Sequence, residues 1–111
     1  MQRNIFRIAV TATSFAALLL PAQLRAQFEA GKSYKTNCVL CHAADGSGSS
    51  STGKAFKARD LRSPDVQKQS DADLALVITK GKGKMPAFEA KLKPDEIKLM
   101  VTYVRELAKA K

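Results

Sequence analysis

Cys38 and Cys41 stand three positions apart, and His42, the only histidine of the chain, follows the second thiol directly. Two thiols at that spacing can each add to one vinyl group of a porphyrin, and the next residue's imidazole is then held under the iron as an axial nitrogen ligand. The segment Cys38-Val39-Leu40-Cys41-His42 therefore reads as a covalent haem-attachment site. Two other chemistries use the same residue types. A dithiol redox pair normally accompanies a βαβ pattern, which is missing here. A structural zinc site wants four ligands, and beyond these three the chain holds no further Cys or His.

With a single histidine, a monomer must find the sixth iron ligand elsewhere. Met85, in Gly81-Lys82-Gly83-Lys84-Met85-Pro86, is the candidate. A thioether is soft and suits ferrous iron, and His/Met ligation raises the reduction potential relative to harder donor sets. The glycines allow close backbone approach to a flat ring, and Pro86 stiffens the chain after the sulfur. Met100 is spaced with Ile97, Val101 and Val104 as core, and Met1 leaves with the leader. His42 and Met85 together would fill both axial positions, so electron transfer through an exposed haem edge is expected rather than catalysis at the metal. The same ligands allow two rivals, an enzyme in which Met85 gives way to peroxide or a small gas, and a subunit docked permanently on a larger oxidoreductase.

The elements that must position these residues are helical. Ala30, Tyr34 and Cys38 recur every four residues, with Lys32 and Lys35 between them, and predict a short helix delivering the first thiol. Asp45 to Gly53 is almost all Gly, Ser and Thr, and reads as an exposed loop. Ser63-Pro64-Asp65 signals a turn, with a helical turn after Pro64. Ser70 caps a second helix, with Asp71 and Asp73 in its first turn and Leu74, Val77 and Ile78 on one face, and Gly81 ends it. Pro94 opens the third and longest helix, which buries Ile97, Met100, Val101, Val104 and Leu107, with Lys109 and Lys111 at its C-terminal end. No two-residue alternation calls for a strand, so the fold class is all-α, three to four helices with long loops. Gly48 to Lys54 nearly matches a phosphate-binding loop, but Ala55 stands where a hydroxyl must hold magnesium, and no strand precedes it.

The 111 residues divide unequally. Arg3 and Arg7 precede a 13-residue largely apolar run, Ile8 to Leu20, and Pro21 and small residues follow, as in a secretory signal. The run is short of the roughly 20 apolar residues that span a membrane. Residues 1–26 are expected to be a signal peptide cleaved after Ala26, with Ala22 the competing site. Residues 27–111 are then the mono-haem domain, soluble in the periplasm. After position 26 the chain holds 16 basic and 10 acidic side chains, a net charge of +6. Scattered lysines without interleaved aromatics argue against nucleic acid, and acidic surfaces of redox proteins are the expected partners, met by a monomer. Lys80, Lys82 and Lys84 flank the Met85 loop and would steer such a partner. About 85 residues give a core close to the size that needs a staple, and a disulfide between Cys38 and Cys41 closes too small a loop to serve. A large apolar cofactor would complete it.

Taken together, the chain resembles the class I cytochromes c, close to the small bacterial members, over the whole length after the leader. The resemblance rests on Tyr34 four residues before the first thiol, on Cys38 to His42, on Met85-Pro86, and on Tyr103-Val104 in the last helix. It implies one covalent haem c, an electron carrier of respiratory chains, and a first helix crossing the last with a small residue against Tyr103. The family's usual glycine position holds Ala30, with Gly31 one place later, so either residue is a candidate for that contact. Family members often have a proline in the middle loop beside the histidine. Ala43 to Asp60 holds none, and a backbone carbonyl must orient the His42 ring N–H.

Overall fold

Most apolar residues at helical spacing become buried or half-buried faces of the helices, Leu107 being only half-buried where Ile97, Met100, Val101 and Val104 are buried, and several helices start or stop for a local chemical reason. The computed structural model describes residues 28–110; the expected leader, its cleavage site and Lys111 lie outside them. Helix α1, Ala30–Asn37, buries Tyr34. It breaks at Cys38, whose φ of −120° is not helical, and the single turn α2, Val39–His42, carries the second thiol and the imidazole. Ser70 caps α5, Asp71–Lys80, by accepting from Asp73 N at 3.0 Å. Pro94 opens α6, Pro94–Lys109, where Lys93 N donates to the Glu96 carboxylate at 2.7 Å and so satisfies an orphan donor. The expected turn after Pro64 is α4, Pro64–Gln67, with the Ser63 hydroxyl accepting from Val66 N at 3.3 Å.

The all-α class holds, and no strand occurs among the described residues beyond one isolated bridge between Lys82 and Met85. The Gly, Ser and Thr segment is the correction. Instead of an exposed loop it buries Gly46, Gly48 and Gly53, and a helix, α3 (Ser51–Phe56), begins inside it. Ser50 caps that helix by accepting from Gly53 N at 2.9 Å. Composition misleads here because a glycine has no side chain to bury, yet its bare backbone can press against another backbone.

Two buried clusters form the core. One gathers Tyr34, Phe88, Leu92, Ile97 and Met100; the other Val66, Leu74 and Val101, and Leu61 and Ile78 pack against both. Helix α1 meets α6 through Gly31, where a Cβ would lie 3.5 Å from Tyr103 Cε2, so Gly31 faces that ring, and Ala30 packs against the same buried cluster. The Tyr34 and Tyr103 rings then stack tilted, with centroids 5.0 Å apart. Arg105 of α6 ties down the start of α5, donating to Gln67 O at 2.9 Å, Gln69 O at 2.6 Å and Asp71 Oδ1 at 2.8 Å. No helix among the described residues is long and apolar enough to cross a membrane.

Candidate functional site

Helix α2 is too short to stabilise itself, so its carbonyl end must find partners elsewhere. It finds them in the glycine and serine segment. The Ser50 hydroxyl donates to Leu40 O at 2.7 Å and lies 3.2 Å from Cys41 O. Gly48 N donates to His42 O at 2.8 Å, and Tyr34 OH to Ala43 O at 2.7 Å. His42 Nδ1 lies 3.1 Å from Arg59 O. A carbonyl can only accept, so Nδ1 carries the hydrogen and Nε2 keeps the lone pair a metal would use. Burial lowers the His42 pKa, and the Arg59 bond opposes that in part. The neutral, ligating form is favoured.

Met85 is presented by a tight hairpin. Lys82 N donates to Met85 O at 3.1 Å and Met85 N to Lys82 O at 3.0 Å, while Phe88 N returns to Ile78 O at 3.0 Å and fastens the hairpin to α5. A cleft of about 470 Å³ brings the four sequence candidates Cys38, Cys41, His42 and Met85 onto one wall system. That volume lies in the range of cofactor sites. Leu61, Val77 and Phe88 add apolar lining, and a smaller apolar recess reaches back to Tyr34 and Met100. Leu40 and Phe56 also line the cleft and stand 72% and 51% exposed, as residues awaiting an apolar cover would. Neither thiol is in a disulfide, and burial pushes the Cys38 thiol up to about 11. Imidazole nitrogen, thioether sulfur, two thiols and apolar walls fit a haem group.

The cleft wall is one-sided in charge. Among the described residues it carries Lys57, Arg59, Lys82 and Lys84, and no acidic side chain. Lys84 Nζ sits 5.8 Å from the Phe56 ring centroid, within cation–π range. Lys80, grouped with these lysines on sequence grounds, instead pairs with Glu89 at 2.8 Å. Sequence reasoning required a carbonyl for the His42 ring but could not name Arg59, because every residue carries one. It did not find Ser50, whose only signal is its place in a serine run.

The family model described as cytochrome c oxidase, cbb3-type, subunit III, matches residues 26–104. Cytochrome c6 of Gloeothece citriformis is 38% identical over 80 residues, 69% of this chain and 67% of that protein. The chain belongs to the class I cytochromes c. Cytochrome c6 of Anabaena variabilis is 37% identical over 82 residues, covering 71% of this chain and 88% of its own. The FixP subunit of a cbb3-type oxidase from Bradyrhizobium diazoefficiens is 35% identical over 106 residues, 92% of this chain and 36% of FixP. In structure the chain is similar to the KustC0563 c-type cytochrome, with a TM-score of 0.67 at 32% identity, covering 72% of this chain and 98% of that one. This cytochrome binds a covalent haem c and carries electrons in concert with redox partner proteins. It is an electron-transfer protein, not an enzyme.

Proposed function

We propose that Cys38 and Cys41 hold the haem through thioether bonds and that His42 Nε2 and Met85 Sδ are its axial ligands. The observation that carries this is the His42 ring, its Nδ1 committed to Arg59 O, in a cleft shared with the Met85 sulfur. A bound haem supplies a one-electron iron couple. His42 and Met85 would both ligate its iron, so no coordination position would be left for a substrate, and the apolar side chains of Leu61, Val77 and Phe88 would limit water at the group. Export after removal of residues 1–26 and action as a periplasmic monomer, shuttling single electrons between larger respiratory proteins, complete the proposal. The four basic residues on the cleft wall suit acidic docking surfaces.

The test is the absorption spectrum of the mature protein, made in a host with haem-attachment machinery and then denatured. Haem that stays with the chain, and a far-red sulfur-to-iron band that disappears in Met85→Ala, support the assignment. Covalent haem without that band would remove Met85 as ligand. A docked subunit is the second reading, favoured by the oxidase-subunit family model and the FixP match. Purification from native cells as part of a larger complex, rather than free, would select it.

A further inference from the structure

We propose that Gly48 is a positioning residue for His42, keeping the Arg59 carbonyl on the ring N–H and thereby setting how strongly the imidazole donates to iron. The inference rests on His42 being an axial ligand. Gly48 contacts both the histidine's backbone and the segment that supplies its ring acceptor. Its N–H donates to His42 O at 2.8 Å, and its α-carbon packs against the segment that supplies the ring acceptor. A Cβ built there would lie 2.6 Å from Ala58 O and 3.3 Å from Arg59 O. Both opposing atoms are backbone, so no side chain can swing aside. The segment is also held from its other side, where Ala58 N donates to Gly53 O at 2.8 Å after Lys57 turns the chain at φ 55°. Gly48 itself sits at φ 74°, open to glycine and strained for other residues.

A methyl group at position 48 must push the 58–59 backbone outward, and the Arg59 carbonyl moves away from His42 Nδ1 with it. The 3.1 Å bond is then lengthened or lost. A ring N–H given to a carbonyl makes the imidazole more basic, and a basic ligand favours ferric over ferrous iron. Losing the acceptor therefore raises the reduction potential. The Met85 sulfur is expected to keep its place, since the backbone of its hairpin is fastened to α5 and the one contact toward the shifted segment, Lys84 over the Phe56 ring, is made by a flexible side chain.

The experiment compares Gly48→Ala with Gly46→Ala in the haem-loaded protein. Gly46 has a similarly positive φ of 83°, but its Cβ would meet Leu107 Cδ1 at 3.0 Å and Leu61 Cβ at 3.6 Å, both side-chain atoms. Both variants lose stability. Only Gly48→Ala is expected to raise the potential and to speed solvent exchange of the His42 Nδ1–H, followed by NMR, by about tenfold or more, with the far-red band retained. Equal potential and exchange in the two variants would reduce Gly48 to a structural glycine and overturn the proposal. Should Gly48→Ala fail to fold, the native protein still decides, because a ring N–H exchanging at the rate of free imidazole contradicts a held Arg59 bond. His42→Ala tests the underlying reading separately: a low-spin covalent haem with unchanged potential in that variant would remove His42 as ligand whatever Gly48 does.

Discussion

Tyr34 shows how much one side chain can carry. Its ring is 2% exposed at the centre of the core, and its hydroxyl closes the end of α2 by donating to Ala43 O. Ala43 O also accepts from Gly46 N at 3.2 Å, so Tyr34→Phe leaves it partly satisfied. The expected cost is about 1 kcal/mol, seen as a lower urea midpoint with unchanged slope. Burial holds the Tyr34 phenol above its ordinary range, with nearby Cys38, Tyr103 and Asp45 adding to the shift. In the unfolded chain it ionises near pH ~10, while the folded protein keeps its proton. Stability tied to this group is thus intact at neutral pH and falls as pH rises past that value. The gap between wild type and Tyr34→Phe should narrow between pH ~8 and ~11, and a gap that widened would contradict this. At this scale the site was legible where type and spacing speak together. Cys38, Cys41, His42 and Met85 were all named from the sequence and share one cleft. Arg59 was not, because it acts through a backbone carbonyl that no side chain announces.

Among the elements, the crossing of α1 and α6 limits the size of one side chain, at Gly31. A Cβ at Gly31 would stand at ordinary contact distance, 3.5 Å, from Tyr103, whereas a longer side chain must displace the ring stacked on Tyr34. Gly31→Ala is therefore expected to be close to neutral, the methyl contact and better helix propensity offsetting any crowding. Gly31→Leu should lose about 1–3 kcal/mol by overpacking. Thermal melts of both variants check this, and equal loss in the two would show that glycine is required there for another reason. The helices themselves were readable because their ends carry local chemistry, Ser70 before α5, Gly81 after it, Pro94 at the start of α6. Helix α3 was not. Its Ser, Thr and Gly residues have loop composition, and what makes them a packed element is their fit against α2, through Ser50 on the Leu40 carbonyl and Gly53 close against Cys41 O.

The molecule as a whole is built around a cleft that its own side chains leave open. Val66, Leu74 and Phe88 belong to the buried clusters and also line that cleft, so an apolar group held there would extend the core that Leu61 and Ile78 bridge. A chain of this size has little stability to spare. Cys38→Ala with Cys41→Ala should accordingly yield a poorly folded chain, cut readily by protease, and a cooperative melt in that variant would show that the polypeptide core suffices alone. The charge on the same face leads to the second expectation. With Lys57, Arg59, Lys82 and Lys84 on the cleft wall and no carboxylate among them, the field at the opening is positive. Encounter with an acidic partner gains from that field only within about a Debye length, roughly 8 Å at physiological salt. The bimolecular electron-transfer rate should therefore fall as salt is raised. Lys82→Glu combined with Lys84→Glu should lower it by about ten- to a hundredfold at low salt and flatten the salt dependence. Both positions adjoin Met85, so the far-red band must be intact in the variant for the rate to report docking. A rate insensitive to both salt and charge reversal would mean that the partner meets another face of the protein.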